Sequence, residues 1–554
     1  MDASVGTKLK QEFLSNYKSF ENPSESTDDC PTNGFTCDLN KNNEVVQLNG
    51  LTSDSSGLLD QSSSKVKEPD EGRCSQDQPV HIYAICTILA IGVTVALVLE
   101  IHLDATQVSI KGVTSDDELC TELSVRVLRD GGSSVDAAIA GSLCLGVVHP
   151  HVSGVGGGGV MLIHKIRQNE TRAINFQGSA PKGLREEMLQ NVSEIKAGLL
   201  VGVPGMLMGL HHAHDLYGGL PWGDVVSRVA TVAREGFNVS QSLAAAISQA
   251  GEQPAGRFRD LFLPNGQALS PGSYLRMPGV ADIMEAGLFS FYHGNISQEL
   301  EDEVRANGGV LSRGDLQNYS AEVQQPLEGL YNQFIIKVPP PPSAGAALIA
   351  ALNLLEGFHL GENNVTENQT YHWISEALTA ALSMAHRLGD PETSSSVSEL
   401  LSAMMSKNDT EELHQKMDFQ PSASNSTELL SSQVVVMGPD DLVVSVASSL
   451  SRPFGSRIMT RSGVILNSLI LDFFWPNQSS GQPLTDQNNR VEPGKRPLSF
   501  LMPAAIVPAL NRCGTYMALS SSGGENRLSE IIQMLDGVLF HHEKRNDSLS
   551  WEGH

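Results

Sequence analysis

The chain has 554 residues with 37 basic and 63 acidic side chains, a formal net charge of −26. Such acidity excludes a phosphate-binding footprint and hence a nucleic-acid partner. Forty per cent hydrophobic residues supply a sizeable core, and seven cysteines are too few for a disulfide scaffold.

Residues 1–79 hold 7 basic and 14 acidic side chains among many Ser, Asp, Asn and Gly. Apolar residues there follow neither helical nor strand spacing, which predicts a disordered acidic tail. It reads as a solvated cytosolic tail, or as a docking segment for a cytosolic partner. Next, Ile82–Leu99 is eighteen residues without a charge, roughly 27 Å as a helix. Lying too deep for a cleaved signal peptide, it predicts a membrane-embedded signal anchor over 80–102.

Lys65, Lys67 and Arg73 in the twenty residues before the span, against Lys111 alone in the twenty from Glu100 onward, place the N-terminus in the cytosol. Asn-x-Ser/Thr acceptors occur only beyond the span, at Asn169, Asn191, Asn238, Asn295, Asn318, Asn364, Asn368, Asn408, Asn425, Asn477 and Asn546. Together these predict a single-pass type II membrane protein with a glycosylated ectodomain, lumenal or extracellular, in the plasma membrane or endoplasmic reticulum. Cys120, Cys144 and Cys513 fall on the oxidising side, where three thiols cannot all pair internally.

Helical spacing over Asp116–Arg129 and Ser134–Val148 is joined by Gly131-Gly132, with Ser134 and Asp136 placed to cap the second helix. Residues 154–159 match G-x-G-x-x-G but leave a helix and open a strand, the reverse of a dinucleotide site. A turn too tight for anything but Gly is the better account. Helices follow at Met206–Leu216, Trp222–Glu235, Ala346–Leu354 and Tyr371–Arg387, and residues 391–430 read as a Ser-rich exposed loop. Val434–Met437 and Leu442–Ala447 form a hairpin over Gly438-Pro-Asp-Asp. Further strands are expected at Gly463–Leu466, Ser499–Val507 and Thr515–Leu519, and a helix at Arg527–Leu539. The ectodomain is of the mixed α/β class.

Several stretches, in order, resemble the gamma-glutamyltransferase (glutathione hydrolase) family, and most closely a membrane-anchored branch of it. They are Gly131–Ile139, His149–Gly159, Val203–Gly205, Pro339–Gly345, Pro453–Ser456, Pro493–Ser499 and Gly523-Gly524. The resemblance implies an N-terminal-nucleophile hydrolase with an αββα sandwich, divided as a large-subunit-like region 103–430 and a small-subunit-like region 431–554, the latter short at its end. It also implies a Cys120–Cys144 disulfide. Family members cut their own chain before a Thr, which then takes the γ-glutamyl group of glutathione and passes it to water or an amino acceptor.

Here the implied nucleophile is Ser431, whose other reading is an ordinary hydroxyl in a Ser-rich loop. Gly523 and Gly524 are the implied oxyanion donors. Of the implied substrate-binding positions, Gln177 stands for the Arg that grips the glutamyl carboxylate. Ser449 stands for a second Thr, Ser451 for Asn, and Leu469 for a Glu that receives the substrate ammonium. Asp472 and Ser499 are retained, and Phe500 replaces a second Ser. No metal or organic cofactor is expected, since the His149-x-His151 pair sits in a structural turn. Two functions stay open. One is an active γ-glutamyl-cleaving ectoenzyme; the other is a catalytically weak or inactive member that binds or regulates a partner.

Overall fold

The computed structural model describes residues 112–189, 195–251, 256–357, 367–391, 395–416, 430–474, 487–510 and 514–520, with 528, 531 and 532. The tail, the anchor, Gly523, Gly524, Cys513 and the acceptors Asn191, Asn364, Asn425, Asn477 and Asn546 lie outside them. Among the described residues no helix is long and apolar enough to cross a membrane.

Two helices open the fold. Helix α1 (Glu118–Arg129) starts at Asp117, whose carboxylate accepts from Leu119 N and Cys120 N. Helix α2 (Ser134–Val148) is buried on every side, which its Ala-, Gly- and Ser-rich sequence allows. Its cap is Ser133, one residue earlier than expected, in a reciprocal box with Asp136. Ser134 instead bonds the Asp440 carboxylate in the distant hairpin turn. The Cys120–Cys144 disulfide ties α1 to α2 across 24 residues, a closure worth about 3 kcal/mol.

Among the described residues there are twelve strands, the first of them ahead of α1. They are β1 (Gly112–Ser115), β2 (Gly158–Lys165), β3 (Glu170–Asn175), β4 (Phe237–Asn238), β5 (Tyr274–Leu275) and β6 (Glu322–Gln324). Then come β7 (Leu327–Tyr331), β8 (Phe334–Val338), β9 (Ser432–Met437), β10 (Leu442–Ser449), β11 (Ala504–Pro508) and β12 (Met517–Leu519). A six-stranded sheet runs β1-β9-β10-β2-β3-β6 and a four-stranded sheet runs β12-β11-β8-β7, with β4-β5 as a separate ribbon. All pairs are antiparallel.

Strand alternation sorts the core into layers. Val434, Val436, Val444 and Val446 point to α1, α2 and the helices that pack with them. Val435, Met437 and Val443 meet Ala518, Val160 and Ala447 meet Leu501, and Leu162 and Ala173 meet Ala505, all between the two sheets. Beyond the second sheet, helices Gly345–Gly357 and Glu367–Ala385 close a second core. The order helix, sheet, sheet, helix is the expected sandwich.

Three expectations need correction. Residues 391–430 are not one loop, because helices Ser395–Met405 and Lys407–Lys416 occupy much of it. Val397, Leu400, Leu401 and Met404 face the second core at helical spacing that serine-rich composition obscured. Gly463–Leu466 makes only an isolated bridge, Met459 to Ile465. The strand expected at Ser499–Val507 begins at Ala504. The expected Arg527–Leu539 helix is seen only at residues 528, 531 and 532.

The glycine run Gly156–Gly159 is set by space rather than by turn conformation. A Cβ at Gly156 would lie 2.0 Å from Ile465 O, and at Gly157 2.3 Å from Ser449 O. At Gly158 and Gly159 it would lie 2.6 Å from Phe176 O and 2.4 Å from Ala447 O. Each obstacle is backbone. Gly156→Ala is therefore expected to destabilise the fold by about 3 kcal/mol or more. Gly223→Ala, in an open helical site, should stabilise it by about 0.5 kcal/mol. Urea unfolding of the two variants beside the parent checks both signs.

Candidate active site

Register gathers the candidate residues at one end of the six-stranded sheet. Ser432 pairs with Ser448, Ser448 with Gly159, and Ser449 with Gly158. Gly159 and Phe176 exchange backbone bonds, which extends the β2–β3 ladder by one residue. One rung further out stand Ser431, Ser449, Gly158 and Gln177, spanning three strand spacings or roughly 14 Å. Alternation turns the side chains of Ser431, Ser449 and Gln177 to the face that meets the second sheet.

Ser431 is buried, at 6% exposure. The Ser449 hydroxyl donates to the carbonyl of Leu430 at 2.6 Å and accepts from Ser451 N at 2.8 Å. That carbonyl belongs to the peptide bond joining Leu430 to Ser431. Ser451 adopts φ +75°, and its hydroxyl reaches the carboxylate of Asp472. Arg452 donates to the same carboxylate at 2.9 Å. Burial raises the Asp472 carboxyl above the usual range, and Arg452 opposes the shift.

Gln177 is 3% exposed and its Oε1 has no hydrogen-bond partner. Its backbone is fixed at both ends: its N–H donates to Asn175 Oδ1 and its carbonyl accepts from Tyr319. Burial pushes the Tyr319 phenol up to about 12, so it remains a donor. Leu469 packs on the next turn, where a Cβ at Gly178 would lie 3.0 Å from its Cδ2 and at Gly202 2.4 Å. Beside this, a cleft of about 160 Å³ is lined by Ser179, Lys182, Tyr319, Glu322 and Arg496 among others. Arg496 there is paired with Glu322.

Ser499 is buried on the strap that crosses from the second sheet, with its hydroxyl accepting from Leu501 N at 3.2 Å. Leu501 packs on Val160 and Ala447, near the same sheet end. Phe500 turns the other way, into the second core and against His386 at 5.6 Å. It therefore does not fill the site.

Sequence reasoning missed Asn467, Arg452 and Asp116. Asn467 Nδ2 donates to Gly156 O and Gly202 O, while its Oδ1 accepts from Gly202 N and Leu469 N. It clamps three loops, and its signal was hidden by the misread strand before it. Arg452 was legible as a lone charge following Ser451. Asp116 accepts from Gln433 N at 2.8 Å, at the head of β9. Among the described residues no cluster of His, Cys, Asp and Glu could hold a metal. Asn169, Asn238, Asn295, Asn318 and Asn408 are all exposed.

The His149–His151 turn supports the loop that carries Ser451. Val152 O and His151 O accept from Leu450 N and Phe454 N. Burial pushes the His151 imidazole down to about 3, and that of His149 downward against the pull of Asp117. An unfolded chain near pH 6 then binds more protons than the folded one. Stability from these histidines is complete above pH 6.5 and falls as pH drops toward 3. Urea unfolding at pH 7.5 and 5 should show that loss, and His151→Gln should reduce it.

Comparison with known proteins agrees with this geometry. The gamma-glutamyltranspeptidase family model matches residues 120–550. Human glutathione hydrolase 7 is 44% identical over 531 residues, covering 91% of this chain and 80% of that relative. The crystal structure of Helicobacter pylori gamma-glutamyltranspeptidase superposes with a TM-score of 0.51 at 25% identity, over 56% of this chain and 93% of that one. Cephalosporin acylase from Bacillus halodurans shares the fold, with a TM-score of 0.65 at 23% identity, over 77% of this chain and 80% of that one.

Proposed function

The chain belongs to the gamma-glutamyltranspeptidase family, in its glutathione hydrolase 7 branch, and from that premise we propose that it cleaves its own Leu430–Ser431 bond and then transfers acyl groups of the γ-glutamyl type, glutathione being the first candidate donor. The observation that carries this is the Ser449 hydroxyl on the Leu430 carbonyl. A donor there polarises the carbon that the Ser431 hydroxyl must attack.

The chemistry balances in four steps. Ser431 Oγ adds to the Leu430 carbonyl, the peptide C–N bond breaks, and the Ser431 nitrogen takes the hydroxyl proton. Water hydrolyses the resulting ester, leaving a Leu430 carboxylate and a Ser431 with a free hydroxyl and α-amine. That amine then serves as base while Oγ takes the acyl group from a donor amide, whose amine leaves protonated. Water or an acceptor amine releases the acyl group. Gly523 and Gly524 are the proposed oxyanion donors and Ser451 and Ser499 the proposed substrate contacts; Asp472 is retained beside them, with Arg452 paired to it.

We place this chemistry on a type II membrane glycoprotein, anchored at 80–102 with residues 1–79 in the cytosol. The proposed parts are a large-subunit-like 103–430 and a small-subunit-like 431–554. The exposed acceptor asparagines support that orientation. A second reading, a binding or partner-regulating protein of low activity, is favoured by Gln177 and Leu469, which carry no charge where the glutamyl group would be read.

Expression of the full chain in a secretory host should yield a fragment beginning at Ser431, together with turnover of a γ-glutamyl anilide. Ser431→Ala should abolish both, and Ser449→Ala should slow the cleavage by about tenfold or more. A single intact chain without turnover overturns the enzyme reading. Gln177→Arg should raise γ-glutamyl turnover about tenfold or more by adding a charge-assisted bond to the donor carboxylate.

A further inference from the structure

We propose that Arg452 is a specificity-determining residue that withdraws Asp472 from substrate, so that the site takes amides whose acyl group carries a carboxylate but no ammonium, the glutaryl class. The inference rests on the reading of Ser431 as acyl acceptor and refines what that acyl group is.

An ammonium entering a poorly hydrated site needs a carboxylate to receive it. Asp472 is the acid that the site offers, and it is engaged. Arg452 Nη1 lies 2.9 Å from its Oδ1, with the two side chains 20% and 14% exposed, and the Ser451 hydroxyl adds a further bond. A substrate ammonium would have to displace a guanidinium already held in charge-assisted contact. Arg452 Nη1 also donates to the Ser451 carbonyl, so the guanidinium is anchored to the loop that bears it.

The neighbouring wall gives an ammonium no negative charge in return. Leu469 fills the space against Gly178 and Gly202 with methyl groups. Across the same sheet end Gln177 is neutral, buried, and unpaired at one end of its amide. Its carboxamide can turn to donate to a carboxylate, as the five-donor guanidinium of Arg452 can. The cationic charge has therefore moved from the substrate to the protein. In the reaction, Ser431 Oγ forms an ester with the glutaryl carbonyl, the amine leaves with the proton, and water releases glutarate.

The test compares glutaryl p-nitroanilide with L-γ-glutamyl p-nitroanilide on the full chain, alongside Arg452→Met. The parent should favour the glutaryl donor by about tenfold in kcat/KM, and Arg452→Met should move the ratio toward the γ-glutamyl donor by a similar factor, mainly through KM. Calorimetry on the parent protein, with glutarate and L-glutamate as ligands that carry no amide to cleave, reads the same preference without chemistry. Tighter binding of glutarate is expected there. Equal or tighter binding of L-glutamate, binding of neither, or an unchanged ratio in Arg452→Met overturns the proposal. Glutarate preference without turnover of either anilide upholds it and sinks Ser431 as nucleophile. If Arg452→Met does not fold, the comparison of ligands on the parent protein still decides.

Discussion

Backbone packed directly on backbone is the contact on which the site end of this molecule depends. From Gly156 to Gly159 the chain passes so close to Ile465, Ser449, Phe176 and Ala447 that each Cβ would meet a carbonyl oxygen. That closeness lets Asn467 bond Gly156, Gly202 and Leu469 at once. With the three loops fixed, Ser449, Ser451, Asp472 and Gln177 acquire their positions. A buried amide satisfied at both ends is a rigid joint, because breaking any one bond leaves a desolvated polar group.

What the sequence disclosed follows from which signals are local. The two leading helices, the β9–β10 hairpin and the glycine-rich crossing were legible because capping residues, turn residues and apolar period lie within a few positions of one another. The Ser395–Met405 helix was not, because its apolar positions are diluted by serines and only the second core reveals their common face. Gly463–Leu466 looked like a strand from its apolar run, yet it serves as a floor for Gly156 and finds only one bridge partner. Ser133 was passed over as cap because Ser134 beside it offers the same hydroxyl, and only the reach of Asp440 separates their roles.

For the site, the resemblance named Ser449, Ser451, Asp472 and Gln177 as substrate-binding positions; the register sets Ser449 beside Gly158, and Ser451 reaches Asp472. Partner choice was beyond sequence. Arg452 is one residue from Ser451, but nothing in the string tells that it turns onto Asp472, twenty positions on. Phe500 is similar, since strand-like alternation alone does not say which of the two cores receives it. At the site end, close contacts are carried by glycine and backbone, and charge recognition by a handful of side chains. The two can therefore change independently along one lineage.

The tie between α2 and the hairpin turn has a mechanical consequence. Ser134 holds Asp440 and also accepts from Gly438 N, while β9 is bonded to β1 on one side and β10 on the other. A nick ahead of Ser431 would thus free a chain end without freeing a strand. The two polypeptides would share one interior, with two of the six strands of one sheet and two of the four strands of the other coming from beyond the nick. Dilution would not part them, and only denaturation would show by mass that the molecule had become two chains.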